Sequence, residues 1–169
     1  MGVSTVLRKI TFGFGSFRAA VALLLIALGA LPAAASAHLQ CAPYAREISG
    51  IDLHGAAAGW WNEAEGRYAR GNAPKEGAVL AFRATSSMRS GHVATVEKVI
   101  DDRHVLLNHA NWSRPGMVER GAMAEDISPN GDWTQVRVFY APTKKLGNRA
   151  SPAFGFIYNN QSTRFAMKD

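Results

Sequence analysis

From Pro74 onward, turn signals cut the chain into short runs rich in β-branched and aromatic residues. That punctuation limits this part to strands joined by tight connections. Pro74-Lys75-Glu76-Gly77 is a turn, and Ala78 to Phe82 is a short apolar strand. Thr85 to Gly91 is polar and loop-like. His92 to Ile100 carries Val93, Thr95, Val96, Val99 and Ile100, and Asp101-Asp102 turns the chain. Val105 to Ala110 then resumes, so residues 92–110 predict a hairpin. Pro115-Gly116 breaks the pattern, Met117 to Ile127 is ambiguous, and Ser128-Pro129-Asn130-Gly131 is another turn. Thr134 to Tyr140 alternates as a half-exposed strand, and Ala153 to Tyr158 is a final one.

Ahead of Pro74 the pattern is helical. Ala42, Ala45 and Ile48 recur at spacing three, Pro43 is tolerated in a first turn, and Gly50 is a stop. Ala56 to Glu65 predicts a second helix closed by Gly66. Its Trp60 and Trp61 cannot share one core direction, so one packs and the other lies near a groove wall. Two helices followed by five to six strands with short connections predict an α+β domain. The sheet is antiparallel and the helices are segregated to one side.

Residues 1–37 read as a signal peptide. Arg8, Lys9 and Arg18 precede an apolar run from Ala19 to Leu31, and Ala-Ser-Ala at 35–37 is a cleavage site. The run is shorter than the roughly 20 residues of a membrane span. Cleavage after Ala37 leaves a chain that starts at His38 with no stable membrane span, exported to the periplasm or secreted. Residues 38–158 form the one expected domain, and 159–169 a polar tail. The whole chain has 19 Lys+Arg against 13 Asp+Glu, and three of the basic residues precede position 38. The remainder is mildly basic at +3, with no block of like charge that suggests nucleic-acid binding.

Cys41 is the single cysteine, so no internal disulfide forms. In an oxidising compartment a lone cysteine pairs between chains or serves as a reactive thiol. It stands at the start of a predicted helix, where free N–H groups favour a thiolate. The backbone N–H there and a donor from Gln40 suit an oxyanion. His92 opens a strand directly after Gly91, a residue that lets a backbone or a substrate approach closely. A cysteine nucleophile needs an imidazole within reach, and a third group usually orients that imidazole. Alternation along Val105 to Trp112 puts His109 and Asn111 on one face and turns Asn108 away, so His109 and Asn111 are both candidates. The lone cysteine and scattered histidines have no metal-ligand spacing, and no cofactor is expected.

These residues lie in runs that resemble a known family. Gln40-Cys41-Ala42-Pro43-Tyr44-Ala45-Arg46 resembles the opening of CHAP domains, the cysteine, histidine-dependent amidohydrolases/peptidases. Trp60-Trp61 resembles the tryptophan region of their second helix, and Pro74-x-x-Gly77-Ala78-Val79 the entry to their first strand. Gly91-His92-Val93-Ala94 matches G-H-V-A. His109-Ala110-Asn111-Trp112 matches E-x-N-W except at its first position. The resemblance implies a papain-like fold and a hydrolase of amide bonds in peptidoglycan, either an N-acetylmuramoyl-L-alanine amidase or a peptide endopeptidase. It maps Cys41 to the nucleophile, His92 to the base and Asn111 to the family's asparagine. His109 stands where the family has glutamate. Gln40, Trp61 and Trp112 are the expected substrate-binding residues. A weakly active or inactive wall-binding module using the same groove is the alternative.

Overall fold

In the computed structural model, residues 39–159 and Gly2 are described. The expected signal segment, Gly2 apart, and the tail beyond Asn159 lie outside them. Among the described residues no helix is long and apolar enough to cross a membrane.

The chain begins with helix α1 (Cys41–Ser49), a 3-10 turn at Ala57–Gly59 and the single-turn helix α2 (Trp60–Glu63). Eight strands follow among the described residues. They are β1 (Arg70–Gly71), β2 (Val79–Phe82), β3 (His92–Val99), β4 (His104–Ala110), β5 (Val118–Asp126), β6 (Gln135–Tyr140), β7 (Lys145–Leu146) and β8 (Ser151–Ile157). All pairings are antiparallel, in the order β1-β8-β2-β3-β4-β5-β6-β7. The start of β8 also pairs with β6, Gln135 opposite Pro152 and Val136 opposite Ser151, so six strands close into a barrel.

The α+β class and the antiparallel sheet agree with the sequence reading. The expected five to six strands are eight, because β1 and β7 have two residues each and carry no readable period. The ambiguous stretch at 117–127 is β5, the longest strand, interrupted by Gly121 at a φ of 62°. The second helix is shorter than expected. Gly59 falls inside the predicted span, and only one α-helical turn forms after it.

Two apolar clusters explain why strand patterns differ. One fills the barrel, with Leu80, Phe82, Val96, Leu107, Trp133 and Phe156 among its members. The other lies on the outer face, where Ala42 and Ala45 of α1, Trp60 of α2 and Ile51 and Leu53 gather with Val79, Ala81 and Val93. Strand β2 and the first half of β3 are therefore covered on both faces, and every residue from Val79 to Phe82 is buried. Strands β4 and β6 have one face toward the barrel and keep the period-two alternation.

Helix α1 is too short to persist alone. It is held by its buried face and by its ends. Gly50 adopts the left-handed conformation and returns its N–H to the Arg46 carbonyl at 3.0 Å. Ser49 Oγ donates to the Ala45 carbonyl and accepts from the Ile51 N–H.

The 3-10 turn is pinned to the entrance of β3. The Ala58 N–H donates to the Ser90 carbonyl at 2.7 Å, and Gly91 sits against Ala58 with a φ of 66°. A Cβ at Gly91 would lie 2.7 Å from the Ala58 nitrogen and 2.8 Å from its Cα. The close approach expected of Gly91 is thus to another backbone. Gly91→Ala combines a left-handed φ with a backbone collision. It should destabilise the fold by at least about 2 kcal/mol, seen as a lower urea midpoint at unchanged slope. A wild-type midpoint would mean that the 57–59 turn moves aside at no cost.

Candidate active site

Cys41 is the first residue of α1. The extended Gln40 precedes it, and the Gln40 carbonyl accepts the Tyr44 N–H at 3.2 Å. The backbone N–H groups of Val93, Ala42 and Cys41 itself favour the anionic form of the Cys41 sulfur. Val93 follows His92, so the helix start and the strand start meet at the thiol. These N–H groups lower the pKa of the thiol, but burial outweighs them and pushes it above its ordinary 9.0. The expectation of a helix-stabilised thiolate is therefore reversed. The resting group is a thiol, because desolvation of the anion exceeds what the backbone returns.

His92 is buried, its ring among those of Phe82, Trp112 and His109. The centroid distances are 5.7, 4.8 and 5.2 Å. Its Nε2 lies 3.1 Å from Nδ1 of His109, which is fully buried. Burial first, then the neighbouring imidazole, holds the His92 pKa well below the ordinary 6.5. Burial alone lowers that of His109 to about 4. Both rings are neutral at physiological pH.

The two candidates for the third position separate in the structure. Thr95 pairs with Asn108, and extending that register would set Asn111 across from His92. But β4 ends at Ala110, and Asn111 turns into the left-handed region at a φ of 63°. Alternation stops there. The Asn111 amide donates to Gln40 Oε1 at 2.9 Å and accepts the Gly116 N–H at 3.0 Å. The ring that meets His92 is the diagonal neighbour, His109.

A cavity of about 760 Å³ opens at this end of the barrel, lined by Gln40, Cys41, His92, Asn111, Trp112 and the segments 85–91 and 147–152. Trp112 stacks on His109 at 5.7 Å and roofs both imidazoles. Trp61 lies outside this lining. It stacks on Phe154 at 5.5 Å, with the Arg70 guanidinium 5.0 Å from its ring. Trp60 is the fully buried partner.

The sequence reading passed over two side chains. Arg149 lines the cavity and donates to Ser87 Oγ at 2.6 Å, tying the two flanking segments together. Glu119 of β5 lies opposite His109, with its Oε2 3.6 Å from His109 Nε2. No local pattern marks either one. Arg149 sits in a polar loop and Glu119 in the ambiguous stretch. Among the described residues no three His, Cys, Asp or Glu side chains gather as a metal site.

Comparison with known proteins joins the geometry to the motifs. A family model described as CHAP domain matches residues 32–111, the span that holds Cys41, His92, His109 and Asn111. The resemblance read from the motifs is thereby borne out, and the match indicates a peptidoglycan hydrolase-type amidase/peptidase family. No curated protein matches the chain.

The buried imidazoles make stability depend on acid. In the unfolded chain they protonate near 6.5, whereas in the fold His109 protonates only at about 4 and His92 well below its ordinary value. Below pH 6.5 the unfolded chain binds more protons, so stability present at neutral pH is lost as pH falls toward 4. At about 1.4 kcal/mol per pH unit, His109 alone accounts for a loss of roughly 3 kcal/mol by pH 4. Urea midpoints between pH 7 and 4 measure this, and His109→Gln should flatten the slope. A slope equal to that of the wild type would remove His109 as its source.

Proposed function

We propose that the chain is an exported cysteine amidohydrolase of peptidoglycan, with Cys41 as nucleophile and His92 as general base. One observation carries the reading. The Cys41 thiol at the start of α1 and the His92 ring line one cavity, and the backbone N–H of Val93, the residue after His92, favours the anion of that thiol. His109 engages Nε2 of His92, so Nδ1 is the nitrogen assigned to the thiol. We also read the domain as papain-like, supported by the helix that brings its N-terminus to the mouth of an antiparallel sheet.

The reaction starts from a neutral pair. As Sγ attacks the amide carbonyl carbon, its proton passes to His92 Nδ1, and the carbonyl electrons move to oxygen. The donors assigned to that oxyanion are the Gln40 side chain and the backbone N–H groups at the helix start. The bond from Asn111 fixes Oε1 as the acceptor end of the Gln40 amide, which leaves Nε2 as its donor end. His92 then gives its proton to the leaving nitrogen, and an acyl-enzyme remains. Water, deprotonated by His92, releases the acid and restores the thiol.

The cavity lining contains Arg89 and Arg149 and no carboxylate. That charge suits wall peptides, which carry free carboxylates, and supports a peptide-bearing substrate. The expected signal segment supports action in the periplasm or outside the cell. The neutral thiol is what a wall-binding module using the same groove would also tolerate. Its signature would be retention on sacculi with no soluble product.

Purified sacculi treated with the wild type should release muropeptides, and their masses tell cleavage at the sugar-linked amide from cleavage within the peptide. Cys41→Ala should lower release by about a thousandfold or more while keeping the thermal transition. Equal release by the two proteins would end the proposed mechanism. Because His92 acts as a base only when neutral, the acidic limb of kcat/KM should lie below pH 6.5. A limb at or above that value would mean that the ring is solvated in the working enzyme.

A further inference from the structure

His109 is fully buried, and only one of its two nitrogens has a hydrogen-bond partner. Nδ1 meets His92 Nε2 at 3.1 Å, while Nε2 has no partner within bonding distance. What stands in front of that orphaned nitrogen is the Oε2 of Glu119, at 3.6 Å. Glu119 is itself 9% exposed and is held in place. Its oxygens accept from the Ser113 N–H at 3.0 Å and the Ser113 hydroxyl at 2.7 Å.

The alignment of Glu119 with His109 results from an irregularity in β5. Leu107 pairs with Ala122, and an unbroken register would place Arg120 opposite His109. The register shifts between Leu107 and His109, and Gly121 takes a φ of 62° there. Its N–H is turned to the carboxylate of Glu97 and the side-chain oxygen of Asn108, both at 3.0 Å. One extra residue on β5 thus replaces a cation with a carboxylate across from the buried imidazole.

We propose that Glu119 is a positioning residue. Through His109 it fixes the tautomer in which His92 presents an unprotonated Nδ1 to Cys41. The inference rests on the Cys41–His92 reading of the site. A carboxylate oxygen only accepts, so it favours a proton on His109 Nε2. A neutral imidazole carries one proton, so His109 Nδ1 becomes an acceptor. His92 Nε2 must then donate to it, and the lone pair of His92 falls on Nδ1. The opposite tautomer of His109 would set a lone pair against the carboxylate. It would also leave His92 with a proton on Nδ1, unable to take another from the thiol. When His92 is protonated in the reaction it still donates from Nε2 to the same acceptor, and the carboxylate behind His109 stabilises the cation. No proton needs to reach Glu119. The neutrality of His109, which its burial ensures, is what the relay requires.

The titratable groups around His92 are Cys41 on α1, His109 on β4 and, behind it, Glu119 on β5, while β2 contributes the ring of Phe82. The test uses the full chain labelled with ¹⁵N histidine, and two substitutions. Wild-type His92 and His109 should both show a protonated Nε2 and a bare Nδ1. In Glu119→Ala, His109 should become a mixture of tautomers, and the rate of Cys41 alkylation by iodoacetamide should fall about tenfold or more. Glu119→Gln retains an acceptor oxygen and the Ser113 contacts, so it should restore the tautomers and most of the rate. Lacking the charge, it should move the acidic limb of alkylation to lower pH.

Wild-type tautomers in a folded Glu119→Ala would overturn the proposal. If that variant does not fold, an unshifted acidic limb in Glu119→Gln overturns it. Neither readout needs hydrolysis. Sacculi left intact by a wild type with the expected tautomers would therefore sink the hydrolase reading and leave the role of Glu119 standing.

Discussion

Strand β8 makes the barrel a closed object. It pairs with β2 along most of its length and with β6 at its first residues, so the last strand of the described chain joins the two ends of the sheet. Closure is what lets Phe156 and Ala153 enter the same interior as Leu107, Trp133 and Val136. Polar side chains have no place in the middle of such an interior. They enter it at a rim, where Phe82 and Trp112 pack on His92 and the cavity reaches that ring, with His109 fully buried behind it. The rim where β3 begins and β4 ends is where His92 and His109 lie.

Burial then sets the chemistry that this rim can support. At Cys41 the backbone N–H groups of the helix start and of Val93 act against desolvation, and desolvation prevails. At His92 and His109 nothing opposes it strongly, so both rings stay neutral. The proposed nucleophile and base therefore share their proton only when a substrate carbonyl gives the sulfur's electrons a destination. The N–H groups around the sulfur do not create a standing anion. They are preorganised dipoles that favour charge as it develops there.

The relation between motif and geometry is uneven along the chain. Helix α1 and strands β4 and β6 were legible from their periods, β2 from a short apolar run, and β3 and β8 from their β-branched or aromatic residues. Strand β5 was not, because Gly121 and the bulge interrupt its alternation, and its pairing with β4 is what makes it a strand. His109 and Asn111 were indistinguishable while both were counted on one face of an unbroken strand. The left-handed turn at Asn111 separates them, giving one to His92 and the other to Gln40. Which of Trp60 and Trp61 packs inward was open in the sequence; Trp60 is buried, and the ring of Trp61 stacks on Phe154, almost a hundred residues later.

The sequence alone determined the class of fold, the isolation of one thiol at a helix start, the imidazole at a strand start and the motifs shared with CHAP domains. These are local properties, written in spacing and in which residues tolerate which backbone. The tertiary structure decided that the barrel closes, that the thiol stays protonated, that His109 rather than Asn111 meets His92, and that Glu119 stands behind it. Those outcomes depend on burial and on register between strands distant in sequence, and a single extra residue in β5 is enough to exchange an arginine for a glutamate across from a buried ring.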